Sequence, residues 1–80
     1  LINLYVSEQQ YAYARKTKSG VVLIAINNDT RPATITFDVA PTGLVDGMRL
    51  FDRLEKIGAV RVANGKLKVM LPARSAAILV

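Results

Sequence analysis

The chain has 80 residues, 51% of them apolar, and a formal net charge of +5, with neither cysteine nor histidine. This length holds one domain, and the apolar fraction excludes a disordered tail. Without cysteine there is no disulfide, a structural zinc has lost its usual ligands, and no apolar run reaches the roughly 18 residues of a membrane span.

Taken in order, the residues predict strand after strand and no helix. Ile2 to Val6 and Tyr11 to Thr17 flank a polar turn at Ser7-Glu8-Gln9-Gln10. Past Lys18-Ser19-Gly20 comes Val21 to Ile26, an unbroken aliphatic run. Asn27 to Pro32 is rich in turn formers. Ala33 to Val39 then alternates, with Ile35, Phe37 and Val39 on one face and Thr34, Thr36 and Asp38 on the other. A connection punctuated by Pro41, Gly43 and Gly47 leads to a short strand, Met48 to Asp52, and a loop over Arg53 to Gly58.

Asn64-Gly65 between two alternating segments predicts a two-residue hairpin, because a type I′ turn needs positive φ at both central positions. With Ala63 opposite Lys66, Val62 faces Leu67, Val60 faces Val69, and Arg61 lies opposite Lys68. Ser75 to Val80 closes the chain as a last strand. Seven or eight short strands at this spacing specify an all-β fold, an antiparallel sandwich or barrel.

The run Val21 to Ile26 is apolar on both faces, whereas an antiparallel sandwich usually leaves one face to water. Its outer face therefore calls for a cover, either another domain or one of the chain's own loops. The opening Leu1-Ile2-Asn3-Leu4 lacks an initiator methionine and a leader, and reads as the interior of a longer protein. The compartment is not legible.

The basic residues are scattered from Arg15 to Arg74, and only Arg15-Lys16-Thr17-Lys18 forms a cluster, at a turn where solvent accounts for it. Neither nucleic acid nor a membrane is expected as a partner. The commonest general base and the strongest nucleophile are missing with histidine and cysteine. Of the six acids, Glu8, Asp29, Asp46 and Glu55 fall in turns or loops and Asp38 on a solvent face. Nothing pairs two carboxylates across a cleft, as glycoside chemistry would need. No catalytic residue, metal or cofactor is expected.

Binding is the better question. Tyr11 and Tyr13 share a strand face with Arg15, while Ala12 and Ala14 occupy the other. Together with Tyr5 they could stack on a sugar or a base. The competing reading, which five aromatics in so small a domain favour, has the rings filling the core while the alanines meet a close neighbour.

The order of segments carries a resemblance. Tyr11-Ala12-Tyr13-Ala14-Arg15 precedes an apolar strand ending in Asn27-Asn28, then Asp52-Arg53-Leu54. Asn64-Gly65 and Leu71-Pro72-Ala73-Arg74-Ser75 follow. This resembles the C-terminal domain of the α-amylase superfamily, especially the cyclomaltodextrinase, neopullulanase and maltogenic amylase branch, over nearly the whole chain. The chain departs at Asp52-Arg53-Leu54-Glu55-Lys56, where relatives often carry a glycine soon after the leucine. The resemblance implies an antiparallel Greek-key sandwich that follows a (β/α)8 barrel, and a non-catalytic role in stabilising and shielding that barrel. The barrel of the same parent chain is then the expected partner, with Val21, Val22, Leu23 and Ile24 as the docking strand. Tyr5, Tyr11, Tyr13 and Arg15 are the residues placed to meet the barrel or an α-glucan oligosaccharide. The family's catalytic carboxylates lie on the barrel, and no position here matches their motifs.

Overall fold

The computed structural model describes residues 1–80 and contains eight strands: β1 (Ile2–Val6), β2 (Gln10–Thr17), β3 (Gly20–Asn27), β4 (Ala33–Asp38), β5 (Arg49–Leu50), β6 (Val60–Arg61), β7 (Lys66–Leu71) and β8 (Ser75–Leu79). All pairings are antiparallel. One sheet has the order β1-β2-β3-β8, β4 pairs with β7, and β5 pairs with β6. The last three pairings are nested, β5/β6 within β4/β7 within β3/β8. The chain thus folds over as a long ribbon, and its non-consecutive neighbours give the crossings of a Greek-key sandwich.

The core is built by alternation. From the four-stranded sheet, Ala12, Ala14, Leu23, Ala25, Ala77 and Leu79 point inward, and from the β4/β7 sheet Ile35, Phe37, Leu67, Val69 and Leu71 do so. Small residues on β2 thus lie across from large ones on the other sheet, and such layers interdigitate at the ordinary inter-sheet spacing of about 10 Å. The alanines are therefore core residues. Tyr11 and Tyr13 stand on the opposite, outer face, which corrects the core-filling reading of these two rings. Leu23, Leu67, Leu71, Leu79 and Phe37 already fill the interior. Tyr5 alone of the three tyrosines packs against the core, because a bulge between Asn3 and Tyr5 shifts the register of β1.

The Asn64-Gly65 turn forms as the sequence predicts, with φ of 53° and 73° and both bonds between Ala63 and Lys66 at 3.0 Å. Its two arms then part, which corrects the longer hairpin. β7 is occupied by β4 through six registered pairs, and β6 turns away to β5, placing Arg61 opposite Arg49 and Lys68 opposite Thr36. The cause is closure of the sandwich. Val62, 1% exposed, joins Val39, Leu44 and Leu50 in sealing one end of the core.

Two buried polar side chains pin the loops. Asn27 donates to the carbonyls of Arg31 (2.9 Å), Leu71 (3.4 Å) and Pro72 (3.0 Å), and accepts from Gln10 Nε2 and the Asp29 N–H. Asp52 accepts four backbone N–H groups: Leu54 and Ile78 at 3.0 Å, Lys56 at 2.8 Å and Ile57 at 3.2 Å. Every buried side-chain polar atom has a partner.

Candidate functional site: the outer sheet face

The two faces of the sandwich differ in character. On the β4/β7 sheet the outward pairs are Thr34 with Met70, Thr36 with Lys68 and Asp38 with Lys66, a solvated set apart from the methionine. On the four-stranded sheet the outward residues are chiefly apolar. Partners in register share a face, so the pairing maps it directly. Val6, Tyr11, Ile26 and Ala76 form one row; Asn3, Tyr13, Ile24 and Ile78 form the next; Arg15 and Val22 begin a third.

A fifth segment widens this face. Phe51 exchanges two backbone bonds with Val80, at 2.9 and 3.1 Å, and the Arg53 N–H donates to Ile78 at 2.8 Å. Asp52, bridged to Leu79, faces inward between them, so Phe51 and Arg53 face outward beside Val80 and Ile78. This corrects the sequence-based strand over 48–52. Only Arg49–Leu50 pairs with β6, and the chain then crosses to the edge of the larger sheet. Four inter-strand steps of about 4.8 Å and two pleat repeats of about 6.8 Å make a face on the order of 19 by 14 Å.

Tyr11 and Tyr13 lie side by side on it, ring centroids 5.2 Å apart and planes tilted by 33°. The Tyr11 hydroxyl donates to Asn3 Oδ1 at 2.5 Å, which holds the first ring down across β1. Ile24, Ile26, Val22 and Ile78 are half-buried, and Phe51 is 57% exposed. Of the four residues expected on a docking strand, Val22 and Ile24 are on this face. Leu23 is fully buried and Val21 packs against the core, so neither is open to a partner from this side. Strand parity is the reason: a run apolar on both sides supplies the core with one half and the outer face with the other. Ile26, at the end of the same aliphatic run, and Ile78 and Phe51, from distant segments, complete the set. A period-2 count over Val21 to Ile26 was the available signal for the first of them.

Two shallow grooves mark the surface, of about 430 and 360 Å³. The larger runs between Pro32, Pro72, Ile57 and Met70, the smaller beside Arg49, Arg53 and the Thr17–Gly20 turn, and no carboxylate lines either. No group of three or more metal-ligating side chains assembles anywhere. Asp52, the one buried acid, is committed to the backbone. Burial alone would raise its carboxyl, but the N–H donors of Ile78, Leu54, Lys56 and Ile57 outweigh it and hold the carboxyl below its ordinary value. It is a structural anchor, and it explains why Asp52 stands where the chain leaves one sheet for the other.

Comparison with known proteins agrees with this architecture. The family model described as the α-amylase C-terminal domain matches residues 1–79. The chain belongs to that family. Among solved structures, the fold of this α-amylase C-terminal domain is shared with the crystal structure of an AmyP variant in complex with maltotriose, at a TM-score of 0.78 and 16% identity. The match takes in 96% of this chain and 15% of that one, so the domain spans a small part of the protein it resembles. No curated protein matches the chain. The domain is thus an accessory domain of an α-amylase-family enzyme.

Proposed function

We propose that the outer face of the four-stranded sheet docks on the catalytic (β/α)8 barrel of the same parent chain, which the domain stabilises and shields. The carrying observation is the asymmetry of the sandwich: one sheet shows water threonines, lysines, an aspartate and one methionine, the other tyrosines, isoleucines, valines and phenylalanine with Asn3, Arg15 and Arg53 at the margins. A face of this extent falls within the range of the largest apolar patch on an ordinary monomer, a patch that is often functional; its confinement to one sheet is what favours a covering domain. In this reading the parent acts on α-glucans in the manner of the cyclomaltodextrinase, neopullulanase and maltogenic amylase branch, and this domain supplies no reacting group.

The test is dye binding by the 80-residue chain alone. A hydrophobic probe such as ANS is expected to bind the folded chain, and Ile24→Lys, at the centre of the face, to remove most of the signal. Equal dye binding by the wild type and this variant would refute the docking face.

The tyrosine pair supports a second reading, an α-glucan contact. Two adjacent rings with Arg15 on an open strand face could seat a sugar ring, and the AmyP structure that shares the fold holds maltotriose. Titrating maltoheptaose to millimolar concentration is then expected to shift the amides of Tyr11, Tyr13 and Arg15. Unmoved amides would leave the docking role alone.

A further inference from the structure

The outer face has a charge pattern as well as an apolar centre. Arg15, exposed, is paired with Val22 at one end of β2, and Arg53, exposed, lies beside Ile78 on the added edge segment. No aspartate or glutamate is among the residues that the strand registers place on this face. Three inter-strand steps and one pleat repeat separate the two arginines, about 16 Å between their Cα atoms.

A guanidinium is always charged and presents its donors in a fixed fork, so a surface that closes against it is matched best by a carboxylate. Both arginines stand at the margins of the patch, where rim charges select orientation and partner. From this we infer that the surface receiving the domain is an apolar cradle carrying two separate carboxylates, one opposite Arg15 and one opposite Arg53. The two ion pairs set the register of docking: a face of hydrophobic residues alone slides, whereas two fixed charge pairs allow one orientation. This rests on the docking reading above and adds the chemistry of the partner.

The experiment uses the full-length parent protein. Arg15→Lys and Arg53→Lys each keep the positive charge and introduce an amine. A carbodiimide then joins that amine to a carboxylate in contact with it, forming an amide with loss of water, and the joined peptides are identified by mass spectrometry. Each variant is expected to give a cross-link to an aspartate or glutamate outside residues 1–80, at a different position for the two variants. In parallel, Arg15→Glu with Arg53→Glu is expected to raise amide hydrogen exchange of β2 and β3 about tenfold or more. Lys68→Glu with Arg61→Glu, away from this face and opposite no acid, is expected to leave it unchanged.

Cross-links confined to this domain, or exchange that rises equally with both charge-reversed pairs, would overturn the inference. Ile24→Lys separates the two ideas. If it loosens β2 and β3 while the arginine variants neither cross-link outside the domain nor raise exchange, docking stands and the carboxylate cradle falls. If Ile24→Lys changes nothing, the docking reading itself has failed.

Discussion

Asp52 and Asn27 make more side-chain hydrogen bonds than any other residues, most of them to backbone. Replacing Asp52 by Asn keeps the size but turns one acceptor into a donor aimed at N–H groups. That leaves buried donors unpaired, at a cost of about 2–3 kcal/mol, measured as a drop in the urea midpoint without a change in slope. The pH dependence has a definite sign. The carboxyl is lowered below its ordinary 3.8 in the folded state, so the unfolded chain takes up its proton first as acid is added. The stabilisation is complete above about pH 5 and is lost as pH falls through 3.8 toward the lower folded value. In Asp52→Asn that part of the acid sensitivity disappears, which urea titrations at pH 3 and pH 6 will show. In the sequence Asp52 stands out as the head of the Asp52-Arg53-Leu54 segment and as one of six acids, but its role depends on Ile78, 26 residues away.

At the scale of the element, alternation is a strict guide within a strand and a poor one between strands. β7 obeys it: Leu67, Val69 and Leu71 are buried while Lys66, Lys68 and Met70 face out. Leu67→Ala is expected to cost about 2–5 kcal/mol and Met70→Ala, 67% exposed, less than about 0.5 kcal/mol, both read from thermal or urea unfolding. The turn beside β7 carries a separate contribution. Asn64 and Gly65 take positive φ, and the Asp46 carboxylate accepts their N–H groups at 3.1 and 2.8 Å. A Cβ at Gly65 would meet only ordinary contact, so Gly65→Ala costs the left-handed strain alone, about 1 kcal/mol. Asp46→Ala is expected to cost a similar amount, and the two effects, sharing one turn, are expected to add incompletely in the double variant. Hairpin chemistry located this turn from sequence, but not the point at which its arms separate. Competition from β4 for the edge of β7, and the need to seal the core with Val62, decided that.

The whole molecule is a sandwich with one wet side and one apolar side, carrying a net charge of +5. Freed from a partner, such a chain is held apart from its copies by charge repulsion at low ionic strength. At 1 M salt the screening length falls to about 3 Å and the apolar face is left to act. Sedimentation of the 80-residue chain is therefore expected to show monomer at low salt and growing association at high salt, with Ile24→Lys monomeric throughout. Association that is insensitive to this substitution would place the sticky surface elsewhere, the groove at Pro32, Ile57 and Met70 being the next candidate.

Composition, period and turn residues by themselves determined that the chain is all-β and where each strand lies within a residue or two. These are local properties: a side chain's parity and a turn's φ depend on neighbours a few residues away. Which face of β2 is the inside was decided only by the tertiary structure. Tyr11 and Tyr13 are good core residues in isolation, and they lost the interior because the opposing sheet brought Phe37, Leu67, Val69 and Leu71 to the same volume. Packing is a contest for shared space among distant segments, and a one-dimensional pattern does not contain its outcome.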